Sequence, residues 1–190
     1  SLRALAPALG AARACEFCAA SLRITDRFNQ KPVPLVLDEI RAARRWFKEP
    51  FFELADDNTF LNRAWSREFL EALMREELHW FTETDASVAD EPGLCDLLAE
   101  SGCRQLLIGF ESPRADDLGG LDPAGWKRRQ APRLRHVVDT LQSRGVSVNG
   151  CFILGLDNHT PGIFPLIRDF VRESGLEIGR PSLQGAVVKA

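Results

Sequence analysis

Histidine is scarce in this chain, three in 190 residues. So few imidazoles speak against the multi-histidine sites of metal hydrolases. The three are also scattered: His79 opens an expected strand, His136 lies within an expected helix, and His159 falls just past a strand end. The glycine signatures of nucleotide binding are missing too. No Gly-x-Gly-x-x-Gly follows a strand and no Gly-x-x-x-x-Gly-Lys-Ser/Thr occurs, which leaves dinucleotide and P-loop readings without support. No Gly-x-Ser-x-Gly marks a serine nucleophile. No apolar run approaches the ~18 residues that span a bilayer, so no membrane partner is expected. The net charge of −3 gives no sign of nucleic-acid binding. The local basic clusters, Arg41, Arg44 and Arg45 and then Lys127, Arg128 and Arg129, read as solvated helix faces and loops.

Five cysteines is an odd count. With no visible signal peptide, it argues against a disulfide framework and for a reducing cytoplasm. Cys95, Cys103 and Cys151 sit among apolar residues and read as small buried hydrophobes. The first twenty residues are Ala-rich with two arginines, but no continuous apolar segment follows and they run straight into Cys15. They read as part of the domain rather than as a targeting peptide.

What is present suits one globular domain: 45% hydrophobic and 27% charged residues. From Pro34 onward, strand-like and helix-like segments alternate. Val36, Ile40, Ala43 and Phe47 share a helical face. Phe51 to Ala55 reads as a strand and Arg63 to Glu76 as a helix. His79 to Thr84 is again a strand, and a helix from Pro92 stops at Gly102, a natural left-handed cap. Gln105 to Phe110 is a near-continuous apolar strand. Pro113 to Pro132, polar and with a Gly-Gly pair, reads as a flexible insertion. A helix carrying Leu134, Val137, Val138 and Leu141 ends at Gly145, and Val146 to Leu154 is the next strand. Thr160 is expected to cap a helix that buries Ile163, Ile167, Phe170 and Val171, with Pro161 at its first position. Leu176 to Leu183 could form one more strand. Such alternation predicts an α/β fold with a parallel sheet, either open and doubly wound or curled into a full or partial barrel.

In parallel α/β folds, chemistry gathers at the carboxyl ends of the strands. Here those ends carry Asp56, Asp57 and Asn58; Glu83 and Asp85; Glu111 and Ser112; Asp157 and Asn158. They are expected to meet on one rim suited to an ammonium group, vicinal hydroxyls or a cation. Asn58 and Asp157 also fit the bland role of helix caps. One further constellation stands out, Cys15-Glu-Phe-Cys18. Thiolates at this spacing bind zinc, bind an iron–sulfur cluster, or form a redox pair, and the spacing alone leaves the choice open.

Taken together, these segments resemble the radical S-adenosylmethionine (SAM) superfamily, most closely the branch often associated with a cobalamin-binding domain. Cys15, Phe17 and Cys18 match the end of its C-x-x-x-C-x-aromatic-C motif. Phe52 to Asn58, LAESGCRQLLIGFES from Leu98 to Ser112, and NGCFILGLDNHTP from Asn149 to Pro161 match its second-, fourth- and fifth-strand regions. The resemblance covers residues 10–183 of a single core domain (1–190), with 184–190 as a frayed tail. It implies a partial (β/α)6 TIM-like barrel of parallel strands, expected to be truncated at both edges, since residues 1–14 lack the usual alternating first strand. It implies a [4Fe–4S] cluster held by Cys15, Cys18 and a third cysteine, with SAM chelated at the remaining iron.

By the same resemblance, Asp57 and Asn58 would lie near the methionine end of SAM, and Glu111 and Ser112 near its ribose and carboxylate. Phe17, Ile153 and Gly155 would border the adenine, with backbone around the fifth strand supplying hydrogen bonds. Glu83 and Asp85 would face the interior, near an unknown small-molecule substrate. Electrons would come from a donor such as a flavodoxin or ferredoxin, and cobalamin would require a domain not visible in this chain. One departure matters. The family's first cysteine falls at position 11, which is Ala11. That raises an alternative, a cluster-deficient relative. A small α/β domain with a zinc or redox Cys-x-x-Cys is a third reading.

Overall fold

A computed structural model describes residues 2–5, 8–9, 29–47, 49–56, 58–122 and 124–176. Ala11, Cys15, Phe17, Cys18 and Asp57 lie outside the described residues, as does the expected strand beyond Leu176. The main sheet has five strands: β1 (Leu2–Leu5), β4 (Phe51–Leu54), β5 (His79–Thr84), β6 (Cys103–Glu111) and β7 (Ser147–Phe152). They stand in the order β1-β4-β5-β6-β7, and every pairing is parallel. Two short strands, β2 (Ala8–Leu9) and β3 (Asn29–Gln30), form a separate antiparallel pair. β1 corrects the expectation that residues 1–14 carry no first strand. Leu2 to Leu5 pair in register with Phe51 to Leu54, so the edge of β4 recruits a segment whose own β-propensity is poor.

Parallel neighbours need crossovers, and helices supply them. α1 (Val33–Arg44) precedes β4, α2 (Arg63–Leu73) joins β4 to β5, and α3 (Pro92–Glu100) joins β5 to β6. α4 (Trp126–Gln130) and α5 (Leu134–Gln142) lie between β6 and β7, and α6 (Ile163–Glu173) follows β7. The start of α2 is set by Asn62, whose Oδ1 accepts the Trp65 N–H at 3.2 Å. The cap expected of Asn58 therefore falls four residues later. α6 begins at Ile163 behind Gly162, with no side-chain cap. Thr160 contributes only its carbonyl, to the Ile163 N–H at 2.9 Å.

Strand residues divide by two-residue alternation. Phe52, Leu54, Trp80, Leu106, Ile108 and Val148 are buried and share one core with Ile40, Phe69, Leu98 and Val137 from the helices. The alternate set, Glu53, Phe81, Glu83, Leu107, Asn149 and Cys151, is only half-buried. The helices thus back one face of the sheet and leave the other largely open among the described residues. A doubly wound sheet would be covered on both faces, so this is the barrel-like alternative.

The stretch 113–132 is more structured than the loop its composition suggests. A 3-10 turn (Ala115–Leu118) and α4 punctuate it. Asp122 starts α4 by accepting the Trp126 and Lys127 N–H groups at 2.7 and 2.9 Å. Leu118 and Ala131 bury themselves against Ile153 and Leu156 in a second small core.

Gly102 closes α3 at φ 90, and a Cβ there would run into the Leu78 carbonyl oxygen. Gly102→Ala is therefore expected to destabilise the fold by about 1–3 kcal/mol for the left-handed backbone alone, and by more through the clash. Denaturant unfolding of the variant beside wild type checks this.

Candidate active site

Parallel registration puts the carboxyl ends of β4 to β7 along one rim. The most irregular strand end there is that of β6. The register with β7 slips between Gly109 and Glu111, a β-bulge, and Glu111 adopts φ 62. A non-glycine residue in this region stores strain and needs support from its surroundings. Two contacts provide it. The Glu111 carbonyl accepts the Ile153 N–H at 2.8 Å, and Lys127 Nζ donates to Glu111 Oε1 at 2.7 Å and to the Gly109 carbonyl at 3.1 Å. Both charged side chains are largely buried, 11% exposed for Lys127 and 9% for Glu111. Gly109 leaves the space: a Cβ there would collide with the Glu111 carboxylate and come within 3.2 Å of Lys127 Nζ.

Lys127 thus leaves the solvated basic cluster in which its sequence neighbours place it. Cys151, paired across from Gly109, is half-buried. Its thiol is pushed up to about 11, first by burial and then by the negative charges of Glu111 and Glu83, with Lys127 opposing. It is therefore only half-buried rather than the buried small hydrophobe expected of it, whereas Cys95 and Cys103 are fully buried.

On the β4 side, Asn58 Oδ1 accepts from Thr84 Oγ1 at 3.1 Å and its Nδ2 donates to Asp85 Oδ2 at 2.8 Å. The other Asp85 oxygen caps the Ser87 N–H at 2.8 Å. Asp85 is buried and bonded to Asn58 and Ser87, while Glu83 stays half-buried on the open face. Asp56 is buried beside them.

On the β7 side, Ile153 is buried, and Gly155 turns at φ 91 with its N–H donated to His159 Nδ1 at 3.3 Å. The Ile153 and Gly155 N–H groups are therefore already engaged within the protein. Asp157 is exposed.

Between the two sides lies a fully buried carboxylate that sequence reasoning missed, Asp117. Ser112 Oγ donates to it at 2.6 Å, Arg114 donates through Nε at 2.8 Å and through a second guanidinium nitrogen, and His159 Nε2 stands 3.3 Å away. Burial alone would raise the Asp117 carboxyl. The bonds from Arg114 and Ser112, with the charge of Arg114, outweigh it and hold the group below its ordinary value. A cavity of about 320 Å³ lies at the opposite end of the strands, between Pro50, Phe51, Leu78 and His79, away from all of these groups.

Residues 7–171 match the model of the radical SAM superfamily. The chain belongs to that superfamily. It is 29% identical over 165 residues to a bacteriochlorophyllide d C-12(1)-methyltransferase of Chlorobaculum tepidum, covering 86% of this chain and 36% of that protein. It is also 29% identical over 144 residues to a cytidylyl-2-hydroxyethylphosphonate methyltransferase of Streptomyces wedmorensis, covering 75% and 26%. The chain therefore spans about a third of the length of these relatives or less.

Among solved structures, the radical SAM methyltransferase TsrM of Kitasatospora setae, with cobalamin and a [4Fe–4S] cluster bound, superposes with a TM-score of 0.79 at 20% identity over 90% of this chain and 34% of that one. The cobalamin-dependent enzyme OxsB gives 0.66 at 20% identity, over 82% and 25%. The fold is accordingly the radical SAM partial barrel.

Radical SAM enzymes use a [4Fe–4S] cluster and SAM. Among the described residues no group of three or more His, Cys, Asp or Glu side chains is placed to hold a metal ion. The thiolate donors expected from the resemblance are Cys15 and Cys18, outside the described residues, with Ala11 where the motif has its first cysteine. That donor set is one thiolate short of the radical SAM pattern. The rim itself, with a buried carboxylate and a buried ammonium side by side, suits a zwitterionic ligand.

The depressed Asp117 carboxyl carries a pH signature. Its stabilising contribution is complete above the unfolded-chain value near ~3.9 and is lost as pH falls through its lower folded value. Asp117→Asn is expected to cost about 1–3 kcal/mol at neutral pH, because Arg114 and Ser112 lose a charged acceptor. The gap to wild type should narrow steadily below about pH 4, as read from thermal melts across pH 2.5 to 7.

Proposed function

We propose that this chain is the SAM-binding core of a radical SAM enzyme that acts on a small molecule, with methyl transfer the best-supported outcome. The observation that carries this reading is the Glu111–Lys127 pair on the carboxyl-end rim of a chain belonging to the superfamily. An α-amino acid moiety presents an ammonium and a carboxylate together. Glu111 offers a carboxylate to the first and Lys127 an ammonium to the second, each already desolvated and oriented by the β6 bulge. Methyl transfer is supported by the activities of the two methyltransferases to which the sequence is similar.

Cys15 and Cys18 would hold the cluster. When bound and reduced by a low-potential donor of the flavodoxin or ferredoxin kind, it supplies the electron that splits a carbon–sulfur bond of SAM. The protein's part is to hold the methionine end at Glu111 and Lys127 and to offer Ile153 and the Cα face of Gly155 to the adenine. The N–H groups of Ile153 and Gly155 are already engaged, so adenine contacts there rest on packing. Asn58 and Ser112 order the loops around the site, and Glu83 with Cys151 looks onto the open face where a substrate would lie. The free thiols Cys95 and Cys103 suit a reducing compartment such as the cytoplasm.

Ala11 favours a second reading. With two thiolates, this chain binds SAM but does not retain a cluster by itself. Anaerobic reconstitution of wild type and Ala11→Cys with iron and sulfide separates the two. Four irons per chain and 5′-deoxyadenosine from reduced wild type support an active enzyme. Iron and cleavage restored only in Ala11→Cys, at least tenfold over wild type, support the cluster-deficient relative. Absence of SAM binding in both variants overturns the proposal.

A further inference from the structure

Two rim loops more than forty residues apart in the chain meet on one side chain. Asp117, with no exposed side-chain surface, accepts from Ser112 Oγ in the loop after β6 and from the Arg114 guanidinium. Arg114 continues across the gap and donates to the Asn158 carbonyl at 3.1 Å, in the loop after β7. Asn158 answers by donating its Nδ2 to the Asp116 carbonyl at 3.1 Å. His159, whose side chain is only 4% exposed, stands between Asp117 Oδ2 and the Gly155 amide.

Because Gly155 donates to Nδ1, the proton of the neutral ring sits on Nε2, the nitrogen that faces Asp117. Among the described residues Nε2 has no hydrogen-bond partner of good geometry, and the Asp117 charge at 3.3 Å compensates it. Beneath these groups, Leu118 from one loop packs with Ile153 and Leu156 from the other, apart from the main core.

We infer that Asp117 is a positioning residue, a buried carboxylate that locks the loops after β6 and β7 together and so sets the spacing between Ser112 and Gly155 across the rim. A buried carboxylate is costly without its donors, so Asp117 keeps Ser112 and Arg114 in place. With Asp117 in place, the Ser112 hydroxyl is held on its carboxylate and the Gly155 turn is pinned by His159. Removing the charge frees Arg114 from its anchor, leaves His159 Nε2 without compensation, and releases both loops at once. The bearing on cofactor binding rests on the reading proposed above. The coupling of the loops does not.

Amide hydrogen exchange on the whole chain tests the coupling without any cofactor. In Asp117→Asn, protection of residues 112–118 and of 153–159 is expected to fall together, at least tenfold, while β5 and α3 keep theirs. If only one loop loses protection, or if the loss spreads evenly over the chain, the lock is overturned. His159→Phe serves as a second variant, milder on folding. It should deprotect the Gly155 amide and leave Ser112 to Leu118 unchanged, and an unchanged Gly155 amide would also overturn the lock.

Equilibrium binding of SAM forms the functional arm. Asp117→Asn should bind at least tenfold more weakly, whereas Val137→Ala, a buried helix position that destabilises without touching the rim, should bind within twofold of wild type. Equal losses in both variants would reduce Asp117 to a stability residue. If wild type binds no SAM, the functional proposal falls while hydrogen exchange still decides the lock.

Discussion

Every strand of the main sheet runs the same way, and nearly everything else about this molecule follows from that constraint. A chain that lays parallel strands side by side must return to the starting edge each time, and the return is a helix packed on the sheet. The strand ends therefore face one rim, and the residues that follow each strand become neighbours there although tens of positions separate them. Glu83, Glu111 and Cys151 approach one another because β5, β6 and β7 are in parallel register. Among the described residues the helices back a single face and leave the other open, with its half-buried residues.

On this regular frame the irregular places carry the chemistry. The bulge at the end of β6 turns Glu111 into a conformation that an L-residue rarely adopts, and a buried lysine from α4 holds it there. Lysine and glutamate are seldom buried unless paired. Their placement on the open face, beside a thiol whose ionisation they alter, gives the rim fixed charges of both signs in a partly desolvated setting. Gly109 is the silent partner, since any side chain there would displace the pair.

The stretch between β6 and α5 acts as part of the site rather than as a tether. It has its own small apolar core, and it supplies both Lys127 and the Asp117 cluster. The rim is thus built from two polar assemblies of different character. One is a charge pair facing the open side, and the other is a buried lock joining loops. The sequence also carries Cys15 and Cys18, with alanine at position 11 where the family's motif has its first cysteine.

Much of this was legible from residue order alone. Helix and strand positions follow from periodicity: Val137, Val138 and Leu141 on one face of α5, or His79 to Thr84 as β5. These patterns report local burial, which each segment carries within itself. The likeness of LAESGCRQLLIGFES and NGCFILGLDNHTP to radical SAM enzymes likewise identified the family and the rim residues Glu111, Ser112, Ile153 and Gly155. What could not be read were interactions between segments. The pairing of Leu2–Leu5 with β4 is imposed by a neighbour's edge, against local propensity. Lys127 looked like one of three solvated basic residues until α4 turned it toward Glu111, and Asp117 looked like a loop acid until Arg114, Ser112 and His159 closed around it. The amino-acid order by itself determined which elements form and which family they belong to, because hydrophobic period and motif are local properties. Only the tertiary structure decided which charges are buried together, because desolvation and pairing depend on distances across the fold.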